Sequence, residues 1–403
     1  MVHGPTPRRM LLRVAAAELL GMTLWFSATA AAPAVSREFG MSEAARAWLT
    51  MAVQAGFVAG TLLTAVTNLA DAINPRRLFA SGCVAGAVLN LAIVAAPSSA
   101  VMIALRFCTG AALAWIYPPG MKIAAGWFRE RRGTALGVVV GAVGLGSALP
   151  HLLVWLGAGL AWRPLVAASS LLAAAGAVIV AFSVTDGPYV TASAPFDRHA
   201  LGVVLGNRGT RLAMLGYFGH MWELYAMWTW IAAFAAASLG SASSIGSLVA
   251  FIAIATGSIG CVLAGRWADA WGKARVAGWS MIASAACCLV SPAAFGAGLT
   301  ALVVLSMVWG FTIVADSAQF SALVTDYTAR THVGTALTLQ TSAGFLLTMV
   351  SMRIVPHISA ADGWKWAFLI LAPGPLLGAL AMRALADNAQ LPTPNAQGIN
   401  FHA

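Results

Sequence analysis

Two ionisable residues lie three positions apart in the middle of an apolar segment of the sequence. His220 and Glu223 fall within the stretch from Tyr217 to Trp228, which otherwise holds aromatic, aliphatic and glycine residues. A charged side chain at membrane depth costs about 2.5–3.5 kcal/mol on insertion scales, so it persists where it has a partner, a wet cavity or a function. At this spacing both side chains leave one face of a helix. The pair indicates a polar interior within a membrane protein, with Glu223 as a proton site and His220 as its proton partner or a solute donor.

Other polar side chains also fall deep within apolar segments. Asp316 and Gln319 are three residues apart, and Glu18 lies about two turns into the first segment. The candidates for proton coupling or solute binding are Glu223, His220, Asp316, Glu18, Arg106, Gln319, Gln340 and Tyr225.

Each candidate has a structural alternative that the sequence leaves open. Glu18 would snorkel to the interface or pair with Arg13, and Asp316 would pair with a basic or hydroxyl group. The amides of Gln54 and Gln340 would form interhelical hydrogen bonds. A structural role is expected for the remaining polar residues near outer helix ends, which are Arg353, His151 and His357.

The composition is that of a protein embedded in lipid. Of 403 residues, 60% are hydrophobic and 9% are charged, and the mean hydropathy is +0.82, whereas soluble domains are about 25% charged. Only helices and closed barrels satisfy the backbone in lipid, and the alternating pattern of a barrel is absent. The sequence therefore predicts an all-α membrane protein with twelve spans at 10–32, 44–66, 76–96, 98–120, 133–156, 163–183, 210–238, 244–265, 275–296, 298–325, 333–356 and 363–385.

The basic residues predict the orientation. With the N-terminus inside, seventeen Lys and Arg residues fall in cytoplasmic segments and four in outer segments, which favours both termini in the cytoplasm of a bacterium and insertion in its inner membrane. The net charge of +10 is thus topogenic, and no nucleic-acid partner is expected. The five cysteines show no metal-ligand spacing, and no GxxxxGK[ST] loop occurs. We expect no metal, no cofactor and no enzymatic activity.

The two halves of the chain echo each other in sequence. Gly-Thr-Ala-Leu opens span 5 at Gly133 and span 11 at Gly334, and Pro-His occurs late in both spans, at His151 and His357. Such duplication is usual for secondary transporters with a midplane cavity. We expect two pseudo-symmetric six-helix bundles, at 1–183 and 211–403, joined by a cytoplasmic linker at 184–210.

Four motifs resemble those of the major facilitator superfamily. The segment after span 8 is similar to the loop motif of that family, and the segment after span 2 keeps part of it. Span 4 carries Arg106 four residues before Gly110, similar to the family's Arg-x-x-x-Gly motif. The loop-motif positions are Gly265, Asp269, Gly272, Lys273 and Arg275 after span 8 and Asp71, Arg76 and Arg77 after span 2. Span 5 resembles the glycine-rich motif of antiporters, with its glycines at Gly137, Gly141, Gly144 and Gly146. Ala142 stands where that motif has proline.

Within this family, the run from Trp127 to Gly137 resembles the nitrate/nitrite and cyanate porter branch. The nitrate carriers of that branch use arginines in spans 2 and 8, which are absent from the interiors of both spans here. The resemblance implies the twelve-helix fold of the family and, for Arg106, a part in proton coupling or a structural counter-ion role.

The resulting functional hypothesis is a secondary transporter that moves a small solute by alternating access, coupled to protons and acting as a monomer in the lipid bilayer. The alternatives are a multidrug or metabolite efflux antiporter and a transporter-fold protein that senses or scaffolds. The span 5 glycines would press span 5 against span 8. The two loop motifs, with Asp71 and Asp269 at their centres, would form a cytoplasmic charge latch.

Overall fold

A computed structural model describes residues 6–129, 132–157, 161–189, 197–240 and 243–387. These residues form helices and connecting turns, and no strand occurs among them. The first half of the chain contains α1 (Pro7–Met22), α2 (Ser27–Ala30), α3 (Ala32–Phe39), α4 (Glu43–Val66), α5 (Leu69–Ala72), α6 (Pro75–Ala92), α7 (Ser99–Leu113), α8 (Tyr117–Trp127), α9 (Arg132–Leu156) and α10 (Trp162–Ser183).

The second half repeats this succession of long helices. It contains α11 (Leu201–Gly206), α12 (Arg208–Leu239), α13 (Ser243–Trp271), α14 (Lys273–Ala294), α15 (Leu299–Ala315), α16 (Ser317–Tyr327), α17 (Val333–Asp362) and α18 (Pro373–Asp387). The short helix α11 lies inside the predicted linker 184–210, whose residues 190–196 are outside the described residues. The predicted domain boundaries stay a prediction.

All twelve predicted spans contain helix, and ten of them qualify as membrane spans by length and hydropathy within the described residues. The other two are span 1, which is divided into α1, α2 and α3, and span 7, which is α12. Helix α12 is 32 residues long, or about 48 Å at 1.5 Å per residue. It carries the His220 and Glu223 pair in its middle.

Three spans predicted as continuous are interrupted near their centres. Span 1 leaves the helix between Met22 and Ser27, span 4 is broken between α7 and α8, and span 10 is broken at Asp316. Neither glycine nor proline occupies the break in span 1 or span 10, so tertiary contacts rather than local sequence produce these interruptions.

The two halves pack together through α9 against α13 and through α4 against α17. A Cβ placed on Gly137 would lie 2.8 Å from the carbonyl oxygen of Cys261, and one on Gly141 would lie 3.0 Å from that of Ser258. The Ser258 hydroxyl donates to the carbonyl of Gly141 at 2.6 Å. Small residues thus let the two backbones approach across the boundary between the halves.

The other two span 5 glycines differ in what they face. A Cβ on Gly144 would lie 3.5 Å from the hydroxyl of Ser258 on α13, whereas Gly146 faces α1, where a Cβ would lie 2.2 Å from the carbonyl oxygen of Leu19. Gly146 therefore packs within the first half.

Candidate functional site

Glu223 points into the second half of the molecule. Its Oε1 atom accepts hydrogen bonds from Ser284 Oγ at 2.6 Å and from Trp309 Nε1 at 2.5 Å, and Cys288 Sγ lies at 3.2 Å. These donors come from α14 and α15, and Glu223 is 1% exposed. Its three partners are neutral, so the carboxyl group has hydrogen bonds but no counter-ion among them.

His220 and Asp316 form a second buried contact, one turn of α12 away from Glu223. His220 Nδ1 lies 2.8 Å from Asp316 Oδ1, and both side chains are almost completely buried. Asp316 stands at the break between α15 and α16, where its carbonyl accepts the backbone N–H of Gln319 at 2.9 Å. The ring of Phe320 lies 5.5 Å from that of His220. The broken helix thus places a carboxyl group where His220 can meet it.

The structure therefore gathers three predicted residues, Glu223, His220 and Asp316, inside the second half. Gln319 is buried nearby. We expected this polar face to line the gap between the halves, but the partners of Glu223 belong to α14 and α15. At 100° per residue, Tyr225 is 200° around α12 from Glu223, and it is Tyr225 that faces the first half.

Glu18 lies in the first half, on α1, and is fully buried. Its two carboxyl oxygens have no hydrogen-bond partner among the described residues. A Cβ on Gly120 would lie 2.1 Å from Glu18 Oε2, so the glycine of α8 makes room for the carboxyl group. Arg13, the partner considered from the sequence, instead donates to the carbonyl of Ser183 at 2.6 Å.

Arg106 holds the break in span 1. Its guanidinium donates to the carbonyl of Leu24 at 2.8 Å, to that of Leu49 at 3.0 Å and to that of Trp25. Ser27 Oγ and Asn90 Oδ1 accept further bonds at 3.2 and 3.3 Å. Two of these carbonyls, those of Leu24 and Trp25, stand at the missing helical turn and thus find donors in a side chain from α7. The acceptors of these hydrogen bonds are all neutral oxygens, which favours the structural alternative for Arg106.

Six aromatic side chains meet at the centre of the molecule, and we call this group the ring chamber. Trp25 stacks on Tyr225 with ring centroids 5.5 Å apart, and Phe57 lies 4.7 Å from Phe345. All six are buried. The ring chamber consists of Trp25, Phe26 and Phe57 from the first half and Tyr225, Trp228 and Phe345 from the second half.

Polar atoms without partners accompany the ring chamber. The indole N–H groups of Trp25 and Trp228 are buried, and neither has a hydrogen-bond partner among the described residues. The amides of Gln54, one turn before Phe57 on α4, and of Gln340 on α17 are in the same condition. Buried polar groups normally have partners, so these atoms are available to a bound solute.

A cavity of about 60 Å³ adjoins the ring chamber near the end of α9 and the start of α13. We call it the polar cavity. His151 lines it and also lies 6.1 Å, ring to ring, from Phe26 of the ring chamber. Its wall is mixed. The polar members are Thr29, Arg46, His151, Thr229, Trp230 and Ser247, and the apolar members are Ala30, Ala32, Pro33, Ala232, Ala233 and Ala236.

On the opposite side of the membrane, the predicted charge latch is only partly assembled. A Cβ on Gly133 would lie 3.1 Å from Asp269 Oδ1, so this carboxylate of the second half meets the start of α9. Gly265 and Asp269 lie within α13, not in a loop, because that helix continues to Trp271. Gly272 then ends it with φ of +90°.

Two basic residues of the latch have partners elsewhere: Arg76 pairs with the start of the predicted linker, and Lys273 pairs within the second half. Arg76 Nε lies 2.9 Å from Asp186 Oδ1, and Lys273 Nζ lies 2.6 Å from Asp326 Oδ2. Hydrogen bonds from Arg76 lower the pKa of the Asp186 carboxyl from its ordinary value. Arg77 and Arg275 are exposed, and the side chain of Asp71 lies outside the described part of the structure.

The sequence predicted the ionisable residues but missed most of the ring chamber. Of its six members only Tyr225 was a candidate, because single aromatic residues in mid-span resemble lipid-facing ones. The available signal was the presence of aromatic residues near the centres of spans 1, 2, 7 and 11. Among the described residues, no group of three or more His, Cys, Asp or Glu side chains is arranged to hold a metal ion.

Comparison with known proteins defines the class. The family profile described as the Major Facilitator Superfamily matches residues 14–212 and 213–400, and the chain belongs to this family of transporters. The fold agrees: a crystal structure of a mutant of the nucleoside transporter NupG superposes with a TM-score of 0.69 at 14% identity, over 93% of this chain and 99% of that one. The predicted all-α membrane fold is confirmed, and the chain is a transporter rather than an enzyme.

One relative shares a shorter stretch of sequence. The puromycin resistance protein pur8 of Streptomyces alboniger is 35% identical over 155 residues, which are 38% of this chain and 30% of that protein. The expected likeness to the nitrate/nitrite and cyanate porter branch is not supported by these comparisons. Its basis, the run from Trp127 to Gly137, was short and lacked the arginines of the nitrate carriers.

Proposed function

We propose that this transporter is proton-coupled and moves a small organic solute by alternating access. The solute binds in the ring chamber. The observation that carries the proposal is the burial of Glu223 and of the His220–Asp316 contact at the same level of the second half. A carboxyl group in the membrane with only neutral partners holds its negative charge at a high cost. Binding a proton removes that charge.

The remaining parts of the proposal follow from the sequence and the family. The protein lies in the inner membrane of a bacterium with both termini in the cytoplasm, in agreement with the distribution of Lys and Arg. It works as a monomer of two six-helix bundles, 1–183 and 211–403, joined by the linker 184–210. Its partners are the solute, protons and the lipid bilayer. The glycine contacts of α9 with α13 support a form closed towards the cytoplasm.

Replacement of Glu223 by Gln tests proton coupling. Glutamine keeps the size of the side chain and one acceptor oxygen for Ser284 and Trp309, so the protein should fold. In proteoliposomes with radiolabelled puromycin as the probe, a gradient of one pH unit drives at most about tenfold accumulation per coupled proton, because 1.4 kcal/mol is tenfold. We expect Glu223→Gln to lose this accumulation and to keep exchange of labelled for unlabelled puromycin.

The control variant is Asp387→Asn, which removes a carboxylate whose side chain is 70% exposed and should leave accumulation unchanged. Accumulation by Glu223→Gln equal to that of the control would remove Glu223 from the coupling mechanism.

Drug efflux is the second candidate function, and the likeness to a puromycin resistance protein favours it. Expression in bacteria that lack their own efflux pumps should then raise the concentration of puromycin that inhibits growth. No change in that concentration, with the protein present in the membrane, would exclude puromycin efflux.

A further inference from the structure

The ring chamber and the polar cavity are neighbours that share a boundary at His151. His151 takes part in both, because it lines the cavity and its ring lies 6.1 Å from that of Phe26. The two features also meet along α12, where Trp228 belongs to the ring chamber and the next residue, Thr229, lines the polar cavity. Apolar rings thus give way to hydroxyl and imidazole groups within one helical turn.

His151 is the unusual member of this wall. It is 1% exposed, and neither of its ring nitrogens has a hydrogen-bond partner among the described residues. A buried polar group left without a partner is unfavourable. Neutral imidazole offers one donor and one acceptor, so it suits a ligand group that can both accept and donate, as a hydroxyl does.

The neighbours of His151 in the cavity are mostly engaged. Thr29 shares a hydrogen bond of 2.8 Å with Thr50, Trp230 donates to the carbonyl of Met352, and Arg46 lies over the ring of Trp230 at 6.0 Å. The imidazole of His151 is therefore the polar group of this wall for which a bound solute would supply the missing partners.

We propose that the two parts form one binding site for a nucleoside-like solute, an uncharged molecule with a flat heteroaromatic end and a hydroxylated end. The inference rests on the proposed binding of solute between the halves, and it names the class of solute. The flat end lies among the rings of the chamber, and the hydroxylated end contacts His151.

The ring chamber suits the flat end for two reasons. Phe26 and Tyr225 come from different halves, and their planes are within 8° of parallel, so separation of the halves admits a third ring between them. The unpartnered indole N–H groups of Trp25 and Trp228 and the amide of Gln54 supply donors and an acceptor for the ring nitrogens and exocyclic groups of a heterocycle.

The polar cavity suits the other end by size. A volume of about 60 Å³ has room for roughly four to six water-sized groups. A compact hydroxylated group fits this space, and a fused heteroaromatic ring does not fit beside it. The flat part must therefore remain in the ring chamber.

The experiment measures ligand-induced thermal stabilisation of the purified full-length protein at constant pH, without any proton gradient. The probes are adenosine, adenine, ribose and adenosine monophosphate. We expect adenosine to bind at least tenfold more tightly than adenine, and ribose to bind most weakly. Equal affinity for adenosine and adenine would overturn the two-part site, and tighter binding of the monophosphate would show that the cavity takes an anion instead.

The chain contains a matched control for His151. His357 follows proline at the corresponding position of the second half, but it is exposed and its Nδ1 lies 2.7 Å from the carbonyl of Arg353. We expect His151→Ala to lose the tenfold preference for adenosine while binding of adenine remains, and His357→Ala to bind both as the unaltered protein does. An unchanged preference in His151→Ala would refute the assignment.

If His151→Ala fails to fold, Thr229→Val provides the second variant. The Thr229 hydroxyl lies 3.3 Å from Met352 Sδ, a weak acceptor that a solute oxygen can replace, and valine removes this hydroxyl at nearly constant volume. It should reduce the preference for adenosine several-fold, and an unchanged preference would again refute the proposal. Since no gradient is applied, these outcomes are independent of the Glu223→Gln result and separate failure of the solute class from failure of proton coupling.

Discussion

Replacement of Arg106 by Met should destabilise the protein through the break in span 1. The guanidinium supplies donors to three backbone carbonyls, those of Leu24, Trp25 and Leu49. Arg106 is completely buried, and methionine offers these carbonyls nothing. The carbonyl of Leu24 also accepts from Ser27 Oγ at 3.1 Å, and Leu49 lies inside α4, where its carbonyl has a helical partner. The loss therefore falls mainly on the carbonyl of Trp25, and a buried acceptor left without a donor costs about 1–3 kcal/mol.

Two effects reduce this range. Methionine removes the cost of burying a positive charge, and part of the chain between Met22 and Ser27 can move to re-form helical hydrogen bonds. We therefore expect a loss of at least about 1 kcal/mol. At 2–4 °C per kcal/mol for chains of moderate size, the unfolding temperature in detergent should fall by about 2 °C or more.

Lysine at the same position separates charge from geometry. Arg106→Lys keeps the positive charge but replaces the planar fork by a single ammonium group, so it reaches fewer of the three carbonyls. Its unfolding temperature should fall between that of the unaltered protein and that of Arg106→Met. The surface control is Arg383→Met, because Arg383 is 80% exposed and its contact with Asp387 is 3.7 Å long, and such pairs contribute about 0–1 kcal/mol.

Arg106 should also act on the ring chamber. Because it binds the carbonyl of Trp25, its loss frees the segment that presents Trp25 and Phe26. Adenosine binding in Arg106→Met and Trp25→Ala should then be non-additive, with the double variant no worse than the more severe single one. An unfolding temperature for Arg106→Met equal to that of Arg383→Met would refute the reasoning.

Two further predictions concern the side of the molecule where α9 begins and α13 ends. Gly137→Ala puts a methyl group 2.8 Å from the Cys261 carbonyl, which costs about 1–3 kcal/mol. Crosslinking of cysteines introduced near the start of α9 and the end of α13 should therefore fall about fivefold or more, whereas Gly202→Ala, which meets open space, should not change it. Hydrogen bonds from Arg76 lower the pKa of Asp186, so this pair stabilises the fold above about pH 4 and ceases to do so as the pH falls through the lowered pKa. Both side chains are about a third exposed or more, so the effect is below about 1 kcal/mol. In Asp186→Asn the unfolding temperature should depend less steeply on pH on the acid side, and an unchanged slope would contradict this.

The sequence predicts the spans well because each is a local property. A run of about 20 apolar residues predicts a helix across the membrane whatever surrounds it. The Gly-x-x-x-Gly spacing of Gly137 and Gly141 likewise predicts close helix contact, although not that Gly146 would face α1.

The interruptions could not be predicted in the same way. The chain between Met22 and Ser27 contains residues that continue a helix elsewhere, and its conformation depends on Arg106, which is distant in the sequence. The ring chamber depends in turn on this break, because α1 and α2 would otherwise present Trp25 and Phe26 differently. For a site assembled from four spans, one of them through an unwound segment, the sequence offers single aromatic residues near the span centres but no local pattern that brings them together.

Helix α12 carries both the ionisable residues of the proposed proton site and part of the ring chamber. One face holds Glu223 and His220 among groups of the second half, and the opposite face presents Tyr225 and Trp228 to the first half. In the proposed mechanism, protonation changes the partners of Glu223, and α12 transmits that change to the contact of Tyr225 with Trp25. Thermodynamic linkage is reciprocal. In that mechanism, a solute that separates the rings changes the proton affinity of Glu223 by the same factor by which a proton changes solute affinity, although the solute touches no ionisable group on that face of the helix.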